Sequence, residues 1–296
     1  MTRRALVLGG GGPVGVGWES GLVAGLESEG VRVAQADFIV GTSAGSIVGS
    51  QLAGGRDALD LYEAQRSLAD RPGGRGPVEP IDMQPLIAQF LKLYTSDAPI
   101  QQLRAEIGAF ALQAKGDEDE WVKGFSESEV GGRGEWPDRA FACTAIDVAD
   151  GSFVVWDRAS GAPLARAVAS SCAVPGIVPP VTINGRRYMD GGIGSTTNAT
   201  IANGYDKVLV VSVVRPGTGR ASSTMPELAA RAVSRFEAEL DEVRASGSKV
   251  ELIAPDDAFA ESFGANLMDF SRRREAAEIG FAQGKAEAPW IAAFWD

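Results

Sequence analysis

Phe38-Ile39-Val40-Gly41-Thr42-Ser43-Ala44-Gly45-Ser46-Ile47-Val48 is the stretch whose reading decides the fold. A short apolar run enters a G-x-S-x-G pentapeptide and leaves it into a helical pattern, which is the strand–turn–helix context that a nucleophile elbow requires. Gly41 and Gly45 carry no side chain, so the chain can turn sharply and hold the Ser43 hydroxyl clear of the backbone. A helix starting at that point aims amide N–H groups and its positive dipole end at an anion forming beside the serine.

Upstream, the same order of elements occurs once more. Arg4–Leu8 reads as a strand, Gly9-Gly10-Gly11-Gly12 follows it, and a helix carries Trp18, Leu22 and Leu26 at four-residue spacing. Strand–helix–strand–helix predicts an α/β fold with a mainly parallel central sheet flanked by helices. Downstream, strand character is read at Ala140–Ile146, Phe153–Trp156, Val181–Ile183, Arg187–Met189, Lys207–Val213 and Val250–Ile253. Long helices are predicted from about Pro226 to Ala245 and from about Phe270 to Ala286. Between Arg71 and Arg139 the pattern changes. Loops rich in glycine and proline at Arg71–Pro77 and Val130–Pro137 bracket helical patterns at Met83–Leu93 and Ile100–Ala114. Residues 71–139 are therefore expected to be a helical insert, a lid or one wall of a cleft, within a single domain of residues 1–296. Asp117-Glu118-Asp119-Glu120 within it reads as a solvated helix start.

Composition narrows the chemistry. The 296 residues include no histidine, which removes the Ser-His-Asp triad, Cys-His catalysis and most imidazole metal sites. A nucleophilic serine here must be activated by a carboxylate, a lysine or water. The formal charge of −11 argues against a nucleic-acid partner and against electrostatic adhesion to anionic lipid. Cys143 and Cys172 are too few for a disulfide framework and read as small buried apolar residues. No apolar run reaches the roughly 20 residues that span a bilayer. The basic and apolar start, Met1–Leu8, is too short for a signal peptide and reads as a strand, so the expected location is cytoplasmic.

The glycine run admits two readings. As Gly10-x-Gly12-x-x-Gly15 it matches a dinucleotide fingerprint, but the expected acidic residue at the end of the second strand is missing, since Asp37 stands at that strand's beginning. The other reading is an oxyanion hole, with the N–H groups of Gly10, Gly11 and Gly12 aimed at an acyl oxygen beside Ser43. Tyr188-Met189-Asp190-Gly191-Gly192 sets an aspartate at a strand end, released by two glycines, though Asp147, Asp157 and Asp206 compete on spacing alone. Ser246-Gly247-Ser248-Lys249 matches S-x-x-K but ends a helix rather than opening one.

The glycine run, Gly41-Thr42-Ser43-Ala44-Gly45-Ser46, Ala169-Ser170-Ser171-Cys172-Ala173-Val174-Pro175-Gly176, and Asp190-Gly191-Gly192 occur in an order that resembles the patatin-like lipid acyl hydrolases. The resemblance spans residues 5–213. It implies a three-layer fold and a Ser-Asp dyad, with Ser43 as nucleophile, Asp190 as base and the glycine loop as oxyanion hole. It also implies a lipid or small-ester substrate, with no cofactor and no metal. In one respect the chain departs from the family: Pro13-Val14 follows the glycines where many members have Arg or Lys, which weakens the inference of a phosphate head group. A non-catalytic lipid-binding relative is the alternative. For transient contact with a membrane surface the candidates are the insert and Trp290, Phe294 and Trp295, for which core packing is the competing role.

Overall fold

The computed structural model describes residues 2–68, 84–130, 134–214, 226–256, 259, 262–263 and 266–296. The strands are β1 (Arg4–Leu8), β2 (Phe38–Gly41), β3 (Ala140–Asp147), β4 (Phe153–Trp156), β5 (Val181–Ile183), β6 (Arg186–Asp190), β7 (Lys207–Val211) and β8 (Lys249–Ile253). They form one 8-stranded sheet along the path β5-β6-β3-β2-β1-β7-β8, with β4 paired to β3 off this path. From β3 to β8 the sheet is parallel, while β4, β5 and β6 join it antiparallel. All eight strands stand where the apolar runs predict them.

The helices are α1 (Gly12–Ser28), α2 (Ala44–Ala53), α3 (Ala58–Leu68), α4 (Gln84–Thr95), α5 (Ile100–Ala111), α6 (Glu118–Gly124), α7 (Leu164–Ser171), α8 (Pro226–Ala245) and α9 (Arg273–Trp295). Alternate residues of each strand face opposite sides, and the core divides accordingly. Leu6, Leu8, Ile39, Phe141, Leu209 and Val211 pack with residues of α1, α2, α7 and α9. Ala5, Val7, Val40, Val208 and Val210 pack against Phe236, Leu240 and Val243 of α8. Helix, sheet and helix make the three layers. No described helix is long and apolar enough to cross a membrane.

Three details depart from the sequence reading. Helix α1 is buried on every face from Pro13 to Leu26 rather than along one stripe. Its outer face meets α9 at backbone contact: a Cβ on Gly21 would lie 2.0 Å from the Ala277 carbonyl oxygen, and one on Gly280 would lie 2.2 Å from the Trp18 carbonyl oxygen. Second, α9 continues past Ala286 and through Pro289 to Trp295. Proline withholds one helical hydrogen bond, but Pro289 and Lys285, four residues earlier, both lie on the exposed face, where water can satisfy the freed carbonyl. Third, α3 and α7 stand where no helix is predicted.

The insert also divides its work. Leu93, Leu103 and Ile107 of α4 and α5 pack with Ile146 and Met189, covering the antiparallel end of the sheet on the face that carries α8. Trp121 of α6 and Phe125 beyond it join the core on the other face. Met83, Arg71–Pro77 and residues 131–133 of the predicted loops lie outside the described residues.

Gly21→Ala is expected to lower unfolding stability by about 1–3 kcal/mol through overpacking at the α1–α9 contact. Denaturant titration measures it, and a variant as stable as the parent contradicts the packing described.

Candidate active site

Strand β3 brings the site together. Cys143 pairs with Gly41 of β2 and with Trp156 of β4, so these two strands occupy opposite edges of β3. Ala145 pairs with Val154 of β4 and with Asp190 of β6, which puts β6 on the same edge as β2. The two strands run toward each other along that edge. β2 ends level with Cys143 and β6 ends level with Ala145, so Ser43 and Asp190 leave the sheet at one point.

At Ser43 the backbone is held at φ 51° and ψ −114°, a conformation rarely adopted by a residue with a side chain. The surroundings over-determine it. Ser43 N–H donates to Ser171 Oγ at 2.9 Å, while Ser46 Oγ and Cys172 Sγ donate to the Ser43 carbonyl oxygen at 2.6 and 3.2 Å. Both elbow glycines are needed sterically: a Cβ at Gly41 would lie 2.4 Å from the Gly45 carbonyl oxygen, and one at Gly45 would lie 2.1 Å from that of Leu8.

Ser43 Oγ donates to Asp190 Oδ2 at 2.7 Å, and Gly192 N–H donates to Asp190 Oδ1 at 2.7 Å. The two residues are only 7% and 6% exposed. Burial pushes the Asp190 carboxyl up to about 6, against the Ser43 and Gly192 hydrogen bonds that pull it down. The competing aspartates have other partners: Asp147 accepts from Arg186, Asp157 caps a turn through Ala159 and Ser160, and Asp206 accepts from Arg3 N–H. Ser246 and Lys249 stand at the end of α8 and the start of β8, where Lys249 pairs with Lys207 at the first residue of β7. Both cysteines are buried, and burial raises both thiols.

The glycine loop departs from expectation at one residue. Gly10 lies beside Ser43, but its N–H donates to the Thr196 carbonyl at 2.8 Å and is not available to an oxyanion. Among the described residues, the N–H groups of Gly11 and Gly12 have no hydrogen-bond partner. Gly12 has φ +58° and opens α1, with Pro13 in the first helical turn. The Ala44 N–H, first in α2, is likewise without a partner among the described residues, and the elbow motif could have suggested it.

Sequence spacing does not single out the loop after Asp190. Asn198 Nδ2 donates to Thr42 Oγ1 at 3.0 Å and to the carbonyl oxygens of Gly191 and Ser195 at 3.1 Å. From α8, Glu239 accepts from Ser195 Oγ at 2.5 Å, from Thr197 Oγ1 at 2.9 Å and from Ala199 N–H. These bonds hold Thr196, and through it Gly10. Ser43 opens onto a cavity of about 210 Å³, lined among others by Gly12, Ala44, Ile47, Trp121, Phe125 and Phe270.

A family model described as patatin-like phospholipase matches residues 6–203. The chain belongs to that family. Membership places it among lipid hydrolases and sets aside the dinucleotide reading of the glycines. Among curated proteins, none matches the chain. Similar solved structures include VipD from Legionella pneumophila, 14% identical at a TM-score of 0.49, with 98% of this chain and 67% of VipD covered. The type III effector protein ExoU is 18% identical at a TM-score of 0.34, with 96% of this chain and 54% of ExoU covered. In the heterodimeric ExoU–SpcU complex of Pseudomonas aeruginosa the figures are 17%, 0.38, 96% and 52%. The chain thus spans about half the length of the ExoU chains.

Asp190 titrates higher in the folded than in the unfolded chain, so ionising it costs stability as pH rises from the ordinary carboxylate range through about 6. Asp190→Asn is therefore expected to be more stable than the parent at pH 8, by up to about 3 kcal/mol. At pH 4 that advantage disappears. Thermal unfolding of both chains at the two pH values measures it, and an advantage larger at pH 4 than at pH 8 contradicts the assignment.

Proposed function

We propose that the protein hydrolyses carboxylic esters of lipids or small molecules through a Ser43–Asp190 dyad and an acyl-enzyme. The observation that carries this reading is the 2.7 Å hydrogen bond from Ser43 Oγ to a buried carboxylate, beside a cavity and next to amides with no other partner among the described residues. Asp190 Oδ2 accepts the hydroxyl proton as Ser43 Oγ attacks the ester carbonyl carbon. The carbonyl oxygen becomes an oxyanion, for which the N–H groups of Gly11, Gly12 and Ala44 are the available donors. Collapse of this intermediate expels the alcohol, which takes the proton from Asp190 and leaves the acyl group on Ser43. Water then attacks the acyl carbon, Asp190 accepts its proton, and the acid leaves as Ser43 recovers the hydrogen.

A carboxylate at its ordinary value of about 3.9 is a weak base toward a hydroxyl. Burial raises the basicity of Asp190, and its raised value lies closer to neutral pH, where proton transfer is most effective. Gly192 N–H keeps the second oxygen occupied, so Oδ2 faces the serine. The chain, residues 1–296, acts in this reading as one unit, with the insert of residues 71–139 contributing a cavity wall through Trp121 and Phe125. Transient contact with a lipid surface would use Trp290, which is 40% exposed. Trp295 is instead buried and donates from Nε1 to the Arg32 carbonyl, so truncation after Pro289 would remove a core residue along with any surface contact.

With p-nitrophenyl esters, Ser43→Ala and Asp190→Asn are each expected to lose turnover by at least about 10³-fold while remaining folded by circular dichroism. Retention of parent activity by either folded variant excludes the dyad. The base must be ionised, so kcat/KM for the parent is expected to fall as pH drops through about 6 and to level off above it. A profile flat from pH 4.5 to 8 contradicts the role given to Asp190.

A further inference from the structure

The cavity at Ser43 limits what can be acylated there, and its charges limit what can accompany the acyl group. Its walls are mostly apolar: Val16, Ile47, Trp121, Phe125, Val174 and Phe270. An enclosed apolar cavity of about 150 Å³ accommodates benzene, so the roughly 210 Å³ of this partly open cleft shelters about eight carbon atoms. One medium chain is sheltered along its whole length, whereas a longer chain or a second one would extend beyond the lining.

The charged groups in the lining are Glu120, Glu129 and Arg273. Arg273 is buried, and its guanidinium is already engaged: NH1 and NH2 donate to the two Glu129 carboxylate oxygens at 3.2 and 3.5 Å, and Nε donates to Gln65 Oε1 at 2.9 Å. A phosphate drawn to Arg273 would have to displace a carboxylate that balances it, leaving a partly buried charge unpaired. Glu120, an exposed residue, adds negative charge to the lining. The first turn of α1 contributes Gly12 and Pro13 and no cation. Among the described residues that line the cavity, no positive charge is left uncompensated.

We propose that the substrate is an uncharged ester of a single acyl chain of about eight carbons, seated between Trp121 and Phe125 of the insert and Ile47 of α2. This rests on the reading of Ser43 as nucleophile and narrows it. In the family the chain belongs to, it makes a charged two-chain phospholipid the poorer substrate. Phe125 is buried in this wall and meets Trp121 edge to face, with ring centroids 4.8 Å apart, so trimming it lengthens the space available to a chain.

The test is kcat/KM for p-nitrophenyl esters of two to sixteen carbons below their micellar concentrations, then for mono-octanoylglycerol against dioctanoyl phosphatidylglycerol. A maximum near eight carbons is expected, with the sixteen-carbon ester at least about tenfold poorer. The neutral glyceride should exceed the anionic phospholipid by at least about tenfold. Phe125→Ala should move the maximum toward longer chains. If that variant does not fold, the parent profile decides alone. A maximum at fourteen carbons or more, or a preference for the phospholipid, overturns this inference and leaves Ser43 as nucleophile. Failure to cleave any of these esters removes both.

Discussion

One edge of β3 is shared by two strands that run toward each other, and the site depends on that arrangement. β2 climbs the edge from Phe38 to Gly41, and β6 descends it from Tyr188 to Asp190. Neither can continue, because each would occupy the other's hydrogen-bonding positions. Both chains must turn away at the level of Thr144. One turns through the serine of the elbow and the other through Gly191 and Gly192. Backbone hydrogen bonding thus fixes, within a few ångströms, two side chains that stand 147 residues apart. The close approach at Gly191, where a Cβ would lie 2.1 Å from Thr144 Oγ1, shows how little room the junction leaves.

The remaining polar groups hold this junction in place. Thr42 and Thr144 share a 3.0 Å hydrogen bond across it, and Asn198 ties the loop after Asp190 to Thr42. Glu239 on the far-face helix α8 gathers the hydroxyls of Ser195 and Thr197, so the layer opposite the cavity contributes to the order of the site. A buried network of this kind costs little only while every member is satisfied. One buried group stands apart. Among the described residues, neither carboxylate oxygen of the buried Glu19 of α1 has a geometrically sound hydrogen-bond partner, and burial raises its carboxyl well above its ordinary value, against a backbone contribution from Gly9 that lowers it.

Much of the fold was legible because its signals are local. Most strands are short runs rich in apolar residues, and α8 is predicted from about Pro226 to Ala245, the bounds it has. Helix α7, Leu164-Ala165-Arg166-Ala167-Val168-Ala169-Ser170-Ser171, is only 8 residues long, too short for periodicity alone to distinguish it, yet Ser171 at its end receives the Ser43 amide. Proline at position 289 disguised the last turns of α9. Ser43 and Asp190 could be named from motifs, but which aspartate meets the serine follows from strand register, a non-local property that spacing does not encode. Gly10 illustrates the same limit. The sequence offers three glycine amides to an oxyanion, and only the course of the loop around Thr196 reveals that one of them is already in use.

The central claim is that Ser43 is a nucleophile whose reactivity comes from Asp190. Peptide mapping after reaction with a fluorophosphonate tests both halves at once, with the rate of modification followed by intact mass. The account predicts one phosphonyl group on the peptide carrying Ser43, and reaction at least about 10²-fold slower in Asp190→Asn. Modification at another residue, or an equal rate in folded Asp190→Asn, would contradict it.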